Sequence, residues 1–355
     1  MKNKVLILYP EKNDIQSEIL YEELVKLGTE VIYLPFRTDD NDNCSHGFYM
    51  DKGTITYLGY NLQNLRAVFI RALAFSIPSN LPAYLSKSEY AIWRAKFIEE
   101  NIRFSWMFSM LNILRSRGAL IVNHPETYHL HNTKAQFLSL LYDKGFSVPE
   151  FIATNDYKSA KDFCRQHECV CKSAFGIGAT RLVSEESLHP LCGLNRTPAI
   201  FQKKVRGETI RVHTVGSKVV LSLRILSQAI DSRSDTGGFT VIDLPEHIEK
   251  EISCINREFK IFYSAWDIIL GENETFHILD INPGPYIGWT GNYFARYVMS
   301  ALARFIGAYE DEVSFETAWS IIELPKIRFS RVFANNTDFT ISYTDKYCSG
   351  LRIRH

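Results

Sequence analysis

Asp267, Asp280 and Asn282 are the residues whose types and spacing most directly suggest chemistry. Asp280 and Asn282 stand two apart in Ile278-Leu-Asp-Ile-Asn-Pro, and strand residues two apart point to one face. Asp267 lies in Trp266-Asp-Ile-Ile-Leu, separated from them by the polar stretch Gly271–Glu274. The pattern predicts two strands joined by a turn, with Asp267 starting the first and Asp280 and Asn282 ending the second. Pairing would bring three hard oxygen donors to one sheet face, a set that suits Mg²⁺. A metal so placed commonly also holds phosphates. The same residues equally suit a hairpin whose polar side chains simply face water.

Upstream residues bear on the choice. Lys172 ends an apolar strand pattern and is followed by Phe175-Gly-Ile-Gly-Ala. Gly176 and Gly178 would let backbone N–H groups approach phosphate oxygens while the lysine supplies a point charge. GxxxxGK[ST] is absent, so this is not a Walker A loop, and a plain glycine turn fits as well. Lys134 falls on or just before a helix, where a solvated lysine is the ordinary alternative. Phe201-Gln-Lys-Lys-Val is an apolar strand that turns polar before Gly207. Its backbone could pair with a flat base, or it could be a strand end. Arg211, Arg224 and Arg233 fall on or after the strands that follow. Several arginines beside a metal hairpin would suit phosphate or carboxylate substrates. Arg211 and His213 share a strand face; the histidine suits a structural place or proton transfer. Arg71 sits at the carboxyl end of another strand, where ligands of open α/β sheets tend to bind, although a surface arginine is also expected there. No Ser-His-Asp order, GxSxG elbow or HExxH is present, so nucleophilic hydrolysis has no support.

The elements that must position these residues begin with a strand–helix–strand unit. Val5–Tyr9, the helical spacing of Ile15–Leu27 ending at Gly28, and Val31–Leu34 predict parallel α/β structure. The loop Pro10–Asp14 lacks GxGxxG, which argues against a Rossmann dinucleotide site. Arg37–Ser45 reads as a polar loop, and Asp51-Lys-Gly as a hairpin turn inside Phe48–Tyr57. Ala67–Arg71 and Leu120–Asn123 read as strands. Between them, Ser86–Arg117 is a long helical region whose aromatic stripe suits core packing or a subunit interface, as in a homodimer. Helices are expected over Thr133–Lys144, Tyr157–Gln166, His247–Glu258 and Tyr293–Phe305. Strands are expected over Cys169–Lys172, Arg181–Val183, Ile200–Lys204, Thr209–Val215 and Lys218–Leu226. This second half has the pattern of antiparallel sheet.

Composition narrows the class. Lys plus Arg and Asp plus Glu balance at 40 each, which disfavours a nucleic-acid binder. No apolar run reaches the ~20 residues of a membrane span. Val5–Tyr9 is too short for a signal-peptide core and is better read as a strand. Seven cysteines follow no disulfide framework, and a reducing cytoplasm fits them. Cys169-Val-Cys, without a second cluster, fits two buried thiols better than a zinc site.

Taken in order, the lysine, the lysine–glycine loop, the hinge strand, the arginine strand and the D…DxN set resemble the ATP-grasp superfamily. The likeness runs from about Val5 to Ala308. It is carried by I-F-Q-K-K-V-R-G-E-T-I-R-V-H-T-V-G, S-Q-A-I-D-S-R, W-D-I-I-L and I-L-D-I-N-P-G-P, with support from V-N-H-P, N-T-K-A-Q-F-L, G-F-S-V-P-E-F-I-A-T-N-D and A-V-F-I-R. Within the superfamily it is similar to RimK-type ligases and microviridin-type (graspetide) peptide ligases. The resemblance implies an α/β fold, α+β in its ATP-binding half, with an N-terminal parallel α/β pre-ATP-grasp domain over 1–125. A central subdomain would span 126–200, a C-terminal subdomain 201–325, and an appendage 326–355.

By the same resemblance, Lys134 and Lys172 would bind ATP phosphates under the Gly176–Gly178 loop. Gln202, Lys203 and Val205 would form the adenine hinge, with Glu208 toward the ribose. Asp267, Asp280 and Asn282 would hold two Mg²⁺ ions, Mn²⁺ being an alternative. Arg211 and Arg233 would steady the γ-phosphate, an acyl phosphate or the substrate carboxylate. The implied activity is carboxylate–amine ligation through an acyl phosphate, giving an amide or ester on an amino acid or peptide. A precursor-peptide macrocyclase is one form of it; an ATP-grasp kinase and a non-catalytic ATP-binding protein are alternatives of other classes. The sequence departs from the family at three places. Thr209 stands where an acidic residue usually precedes I-R, Asp280 stands where the family often has Glu, and Gly284–Trp289 is atypical.

Overall fold

Val5, Leu6, Ile7 and Leu8 are wholly buried, because their strand lies inside a parallel sheet covered on both faces. This strand, β1 (Lys4–Tyr9), pairs in parallel with β2 (Glu30–Pro35) and β6 (Leu65–Ile70), and β6 pairs in parallel with β7 (Leu120–Val122). The order is β2-β1-β6-β7. Helix α1 (Ile15–Lys26) connects the first two strands, N-capped by Asp14 and closed before Gly28 at φ 75°. A small antiparallel sheet of β3 (Gly47–Tyr49), β4 (Thr54–Tyr57) and β5 (Tyr60–Asn61) is inserted before β6. The computed structural model describes residues 3–10, 14–36, 47–49, 53–71, 86–174, 180–184, 198–227 and 238–308. Gly176, Gly178, Arg233, the loop at 37–45, the turn residues Asp51 and Lys52, and the tail at 326–355 lie outside them.

Helix α2 (Lys87–Ser116) starts with a complete capping box between Ser86 and Glu89. Its aromatic and aliphatic residues divide by position. Met107, Met110, Leu111 and Leu114 enter the core with β-strand residues such as Leu6, Leu8, Val68 and Ile121. The amino-terminal half leaves Ile92, Ile98 and Ile102 46–65% exposed. Core packing therefore accounts for only part of the stripe. Residues 1–128 and the segment that begins at Tyr286, which carries the helix Asn292–Ala308, form one compact unit.

Residues 129–285 form the second. It contains the end of α3 (Thr127–Asn132) and α4 (Lys134–Asp143), then an antiparallel sheet of order β10-β9-β11-β8. Those strands are β8 (Phe151–Thr154), β9 (Cys169–Ser173), β10 (Arg181–Leu182) and β11 (Ala199–Lys203). Helix α5 (Tyr157–Gln166) covers one face through Ala160 and Phe163, against Phe201 and Cys171. A five-stranded antiparallel sheet follows, in the order β14-β13-β12-β15-β16. It consists of β12 (Glu208–Val215), β13 (Lys218–Ile225), β14 (Phe239–Val241), β15 (Tyr263–Leu270) and β16 (Phe276–Asn282). One face packs Ile210, Val212, Trp266, Ile268, Ile278 and Ile281 against Ile248, Ile252 and Ile255 of the helix Glu246–Glu258, and against Phe137 of α4. The other face carries Arg211, Asp267 and Asp280. No helix among the described residues is long and apolar enough to cross a membrane.

Candidate functional site

The hairpin forms as the alternation predicts, with one correction. β15 begins at Tyr263, so Asp267 stands in mid-strand and not at its start. Asp267 pairs with Asp280, and Ala265 with Asn282. On the next strand Arg211 pairs with Asp267 and His213 with Ala265. Two rows therefore cross the sheet side by side, Arg211–Asp267–Asp280 and His213–Ala265–Asn282. Arg211 donates from Nη1 to Asp267 Oδ1 at 2.8 Å and Oδ2 at 3.1 Å.

Between Asp267 and Ile268 the register slips, so that Ile268 faces Ile278 and Leu279 is the extra residue. Such a bulge re-aims side chains and leaves one residue unpaired. It keeps Ile278 and Ile281 on the core face while Asp280 remains on the polar one. Lys172 donates to the Leu279 carbonyl at 2.9 Å. Lys134, at the first turn of α4, donates to Asp280 Oδ2. The structure therefore brings together Lys134, Lys172, Arg211, Asp267, Asp280 and Asn282. Both lysines are over nine-tenths buried.

Burial dominates the electrostatics. Desolvation pushes the Lys172 ammonium down to about 8, Asp280 opposes that shift, Lys134 adds to it and Asp267 opposes it. His213 is fully buried, and desolvation followed by the Arg211 charge holds its imidazole well below the ordinary value. Neither ring nitrogen of His213 has a hydrogen-bond partner among the described residues.

The hinge segment shows a matching incompleteness. Lys172 lies across from Ile200, and Val170 from Gln202, so Gln202 shares the Lys172 face and Phe201 the opposite one. The Gln202 side chain is 2% exposed, and its Nε2 has no partner among the described residues. An orphaned buried donor is unfavourable by about 1–3 kcal/mol unless a ligand acceptor meets it. The N–H groups of Lys203 and Lys204 are taken by the carbonyls of Glu150 and Glu168, at 2.8 and 2.7 Å. Val205 N–H makes no such bond among the described residues. The Lys203 ammonium pairs with Glu150 at 2.8 Å.

Glu208 stands apart. It pairs with Arg224 at 3.0 Å, and Arg224 lies across from the core residue Ile210. Thr209, not Glu208, shares the Arg211 face. Gly207 just before it, at φ 149°, lies so close to β15 that a Cβ would come within 2.4 Å of the Leu270 carbonyl.

The spacing arguments missed two contributors. Leu279, the bulged residue, supplies a carbonyl, and no residue type announces the bulge. His131 approaches the Ile281 carbonyl at 2.8 Å and Asp280 at 3.8 Å; its place three residues before Lys134 was the available sign. Arg71, for which the sequence left a ligand site or a surface position open, lies in the other unit, where it is buried, 8% exposed, and ion-paired to Asp14 at 3.2 Å.

Among the described residues no three His, Cys, Asp or Glu side chains gather as a metal-holding group. Two carboxylates and one amide oxygen instead fit Mg²⁺, which keeps several waters and is commonly held by one or two carboxylates together with phosphates. Three cations stand around them, suiting a polyanionic partner.

No protein-family model matches the sequence, and no curated protein matches it. Solved structures do. An ATP-grasp ligase, PsnB, complexed with a phosphomimetic variant of its minimal precursor, Mg and ADP, aligns at TM-score 0.72 and 21% identity, covering 85% of this chain and 97% of its own. The Chryseobacterium gregarium RiPP-associated ATP-grasp ligase, in complex with ADP and a leader and core peptide, aligns at TM-score 0.69 and 22% identity over 87% and 98% of the two chains. The macrocyclase MdnC from Microcystis aeruginosa MRC, bound with precursor peptide MdnA, aligns at TM-score 0.68 and 21% identity over 86% and 100%. The chain has the ATP-grasp fold, as the order of its motifs implied.

Proposed function

We propose that this protein is an ATP-dependent carboxylate–amine ligase acting on a peptide, with ADP and phosphate as by-products. One observation carries the proposal: on a single sheet face Asp267, Asp280 and Asn282 adjoin Arg211, Lys134 and Lys172. Supporting it, the three ligases described above were solved with nucleotide or precursor peptide. The peptide class comes from those relatives of fold, and a ribosomally made precursor is the specific form favoured.

In the proposed reaction, a substrate carboxylate attacks the γ-phosphate, ADP leaves, and the acyl phosphate is opened by an amine or hydroxyl with release of phosphate. Lys134 and Lys172 would hold phosphate oxygens, Gly176 and Gly178 would cover them, and Arg211 with Arg233 would neutralise charge building on the transferred group. Gln202 and the backbone of Lys203 and Val205 would receive the base. Asp267, Asp280 and Asn282 would hold two Mg²⁺ ions, which offset repulsion between carboxylate and triphosphate. The ribose contact passes from Glu208 to the Thr209 side of the strand. Chemistry of this kind asks the protein for positioning and charge neutralisation more than for covalent groups. Four segments, 1–125, 126–200, 201–325 and 326–355, would divide the work, in a cytoplasmic protein whose exposed α2 isoleucines suit a homodimer contact.

Mass spectrometry with Mg-ATP and a pool of amino acids and candidate peptides tests the proposal. A ligation product is lighter than its reactants by one water and needs both of them for ADP release. A stable product heavier by a phosphoryl group identifies a kinase and refutes ligation.

A further inference from the structure

The order β2-β1-β6-β7 places a topological switch point between β1 and β6, and ligands of open α/β sheets bind outside the carboxyl ends of strands at such points. Two charged residues stand there. Asp14 follows β1 and Arg71 follows β6, joined by Arg71 Nε and Asp14 Oδ1 at 3.2 Å. Both are over nine-tenths buried. The Arg71 guanidinium lies over the Tyr286 ring, 5.1 Å from its centroid. Beside them Gln16, wholly buried, accepts from the Ile287 N–H at 2.9 Å, while its Nε2 has no partner among the described residues.

A buried arginine–carboxylate pair is weak evidence for stability, since apolar residues often serve as well. Nor does the helix end explain the arrangement, because Asp14 already caps α1. Asp14 Oδ2 accepts from Ser17 N at 2.9 Å and Ser17 Oγ at 2.7 Å, and Oδ1 faces Arg71. The acceptor of the site is therefore engaged, while a donor, the Gln16 amide, is orphaned. We propose that this crevice binds a carboxylate group, with Arg71 on its Tyr286 platform as the clamp and Gln16 as a second donor. A guanidinium stacked on an aromatic ring presents a planar fork that matches a planar carboxylate. With Asp14 offsetting its charge, the site suits a monoanion better than a phosphate dianion. Tyr286 keeps its place because residue 288 is glycine: a Cβ there would come within 2.3 Å of the tyrosine hydroxyl. The ring is the movable partner, so Gly288→Ala displaces the platform and leaves Arg71 intact. Naming the bound group as part of the ligase's peptide substrate rests on the function proposed above; the binding itself does not.

The test is a titration of the nucleotide-free, full-length protein with N-acetylglutamic acid amide, followed by ligand-observed NMR. Inorganic phosphate and N-acetyllysine amide are the comparison probes. Saturable binding of the carboxylate probe is expected near the millimolar range, weakened at least ~10-fold by Arg71→Lys and by Gly288→Ala. Arg71→Lys keeps the charge and loses the fork, so its folded state is confirmed by an unchanged thermal shift with Mg-ATP. Unchanged probe binding in both variants, no binding by the wild type, or stronger binding of phosphate or the lysine probe overturns the inference. A wild type that binds the carboxylate probe but gives no Mg-ATP shift refutes the ligase function and leaves the carboxylate site standing.

Discussion

Replacing Lys172 by methionine should stabilise the ATP-free protein while removing its response to ATP. The side chain is over nine-tenths buried and its pKa is brought from 10.5 down to about 8. At about 1.4 kcal/mol per unit, carrying that charge at pH 7 disfavours the folded state by about 3 kcal/mol. Methionine fills similar volume without charge. It forfeits the hydrogen bond to the Leu279 carbonyl, worth about 1 kcal/mol, so the net gain is about 2 kcal/mol. For a unit of roughly this size, that raises Tm by about 4–8 °C. The sign also fixes a pH dependence. The folded lysine releases its proton near 8 and the unfolded one near 10.5, so wild-type stability rises with pH between those values. With the lost hydrogen bond subtracted, the advantage of Lys172→Met is nearly complete below pH 8, about halved by about pH 9, and gone by about pH 10. Differential scanning fluorimetry at pH 7 and 9.5, with and without Mg-ATP, reads all of this. A variant that melts lower than wild type at pH 7, or that keeps the full Mg-ATP shift, refutes the reasoning.

Further outcomes follow from neighbouring residues. Asn282→Ala should abolish ATP turnover with little change in unfolding midpoint, as should EDTA, whose effect Mg²⁺ reverses; full turnover in the variant would sink the metal assignment. Asp280→Ala should lose turnover and also about 3–5 kcal/mol of stability in denaturant titrations, because Lys134 is left buried without its partner. Gly207→Ala should lower stability by at least ~2 kcal/mol, since the new methyl meets the Leu270 carbonyl backbone and the residue holds φ 149°. His213, held neutral by burial, should make the protein acid-sensitive. As pH falls through 6.5 the unfolded chain gains a proton that the folded one refuses, so stability declines by about 1.4 kcal/mol per pH unit. His213→Phe should flatten the Tm profile between pH 7 and 5; an unchanged slope would show that other groups set it.

Much of this was legible because periodicity and charge type survive in the sequence. The two-residue spacing of Asp280 and Asn282 needed only a strand to put both on one face. The run Val5–Tyr9 read directly as the buried parallel strand that it is. What stayed hidden depends on pairing between distant segments. The Leu279 bulge is a property of β15 and β16 together, and Lys172 bonds to the carbonyl of the bulged residue. Glu208 and Thr209 are adjacent in sequence, and only the β12 register tells which faces Arg211. Arg71 carries no burial signal of its own; the residue that buries it, Tyr286, is 215 positions away.

The same pairing gives the proposed ATP site its resting state. Arg211 holds Asp267 and Lys134 holds Asp280, so each carboxylate proposed to receive Mg²⁺ is already neutralised by a cation proposed to receive phosphate. Removing either partner leaves a charge in a poorly solvated place, which is unfavourable. Mg-ATP brings a cation for each carboxylate and an anion for each base, so it satisfies all four residues at once. Free Mg²⁺ displaces the lysine and arginine without giving them a partner, and free nucleotide does the converse. The protein should therefore bind Mg²⁺ and ATP with positive coupling, at the ~1–3 kcal/mol usual for linked sites, that is, with each ligand tightening the other about 5- to 150-fold. Calorimetric titrations of ATP with and without saturating Mg²⁺ measure that coupling. In Arg211→Ala, where Asp267 has no cation to give up, free Mg²⁺ should bind more tightly and the coupling should shrink; coupling of unchanged size would mean that the paired resting state does not govern entry to the site.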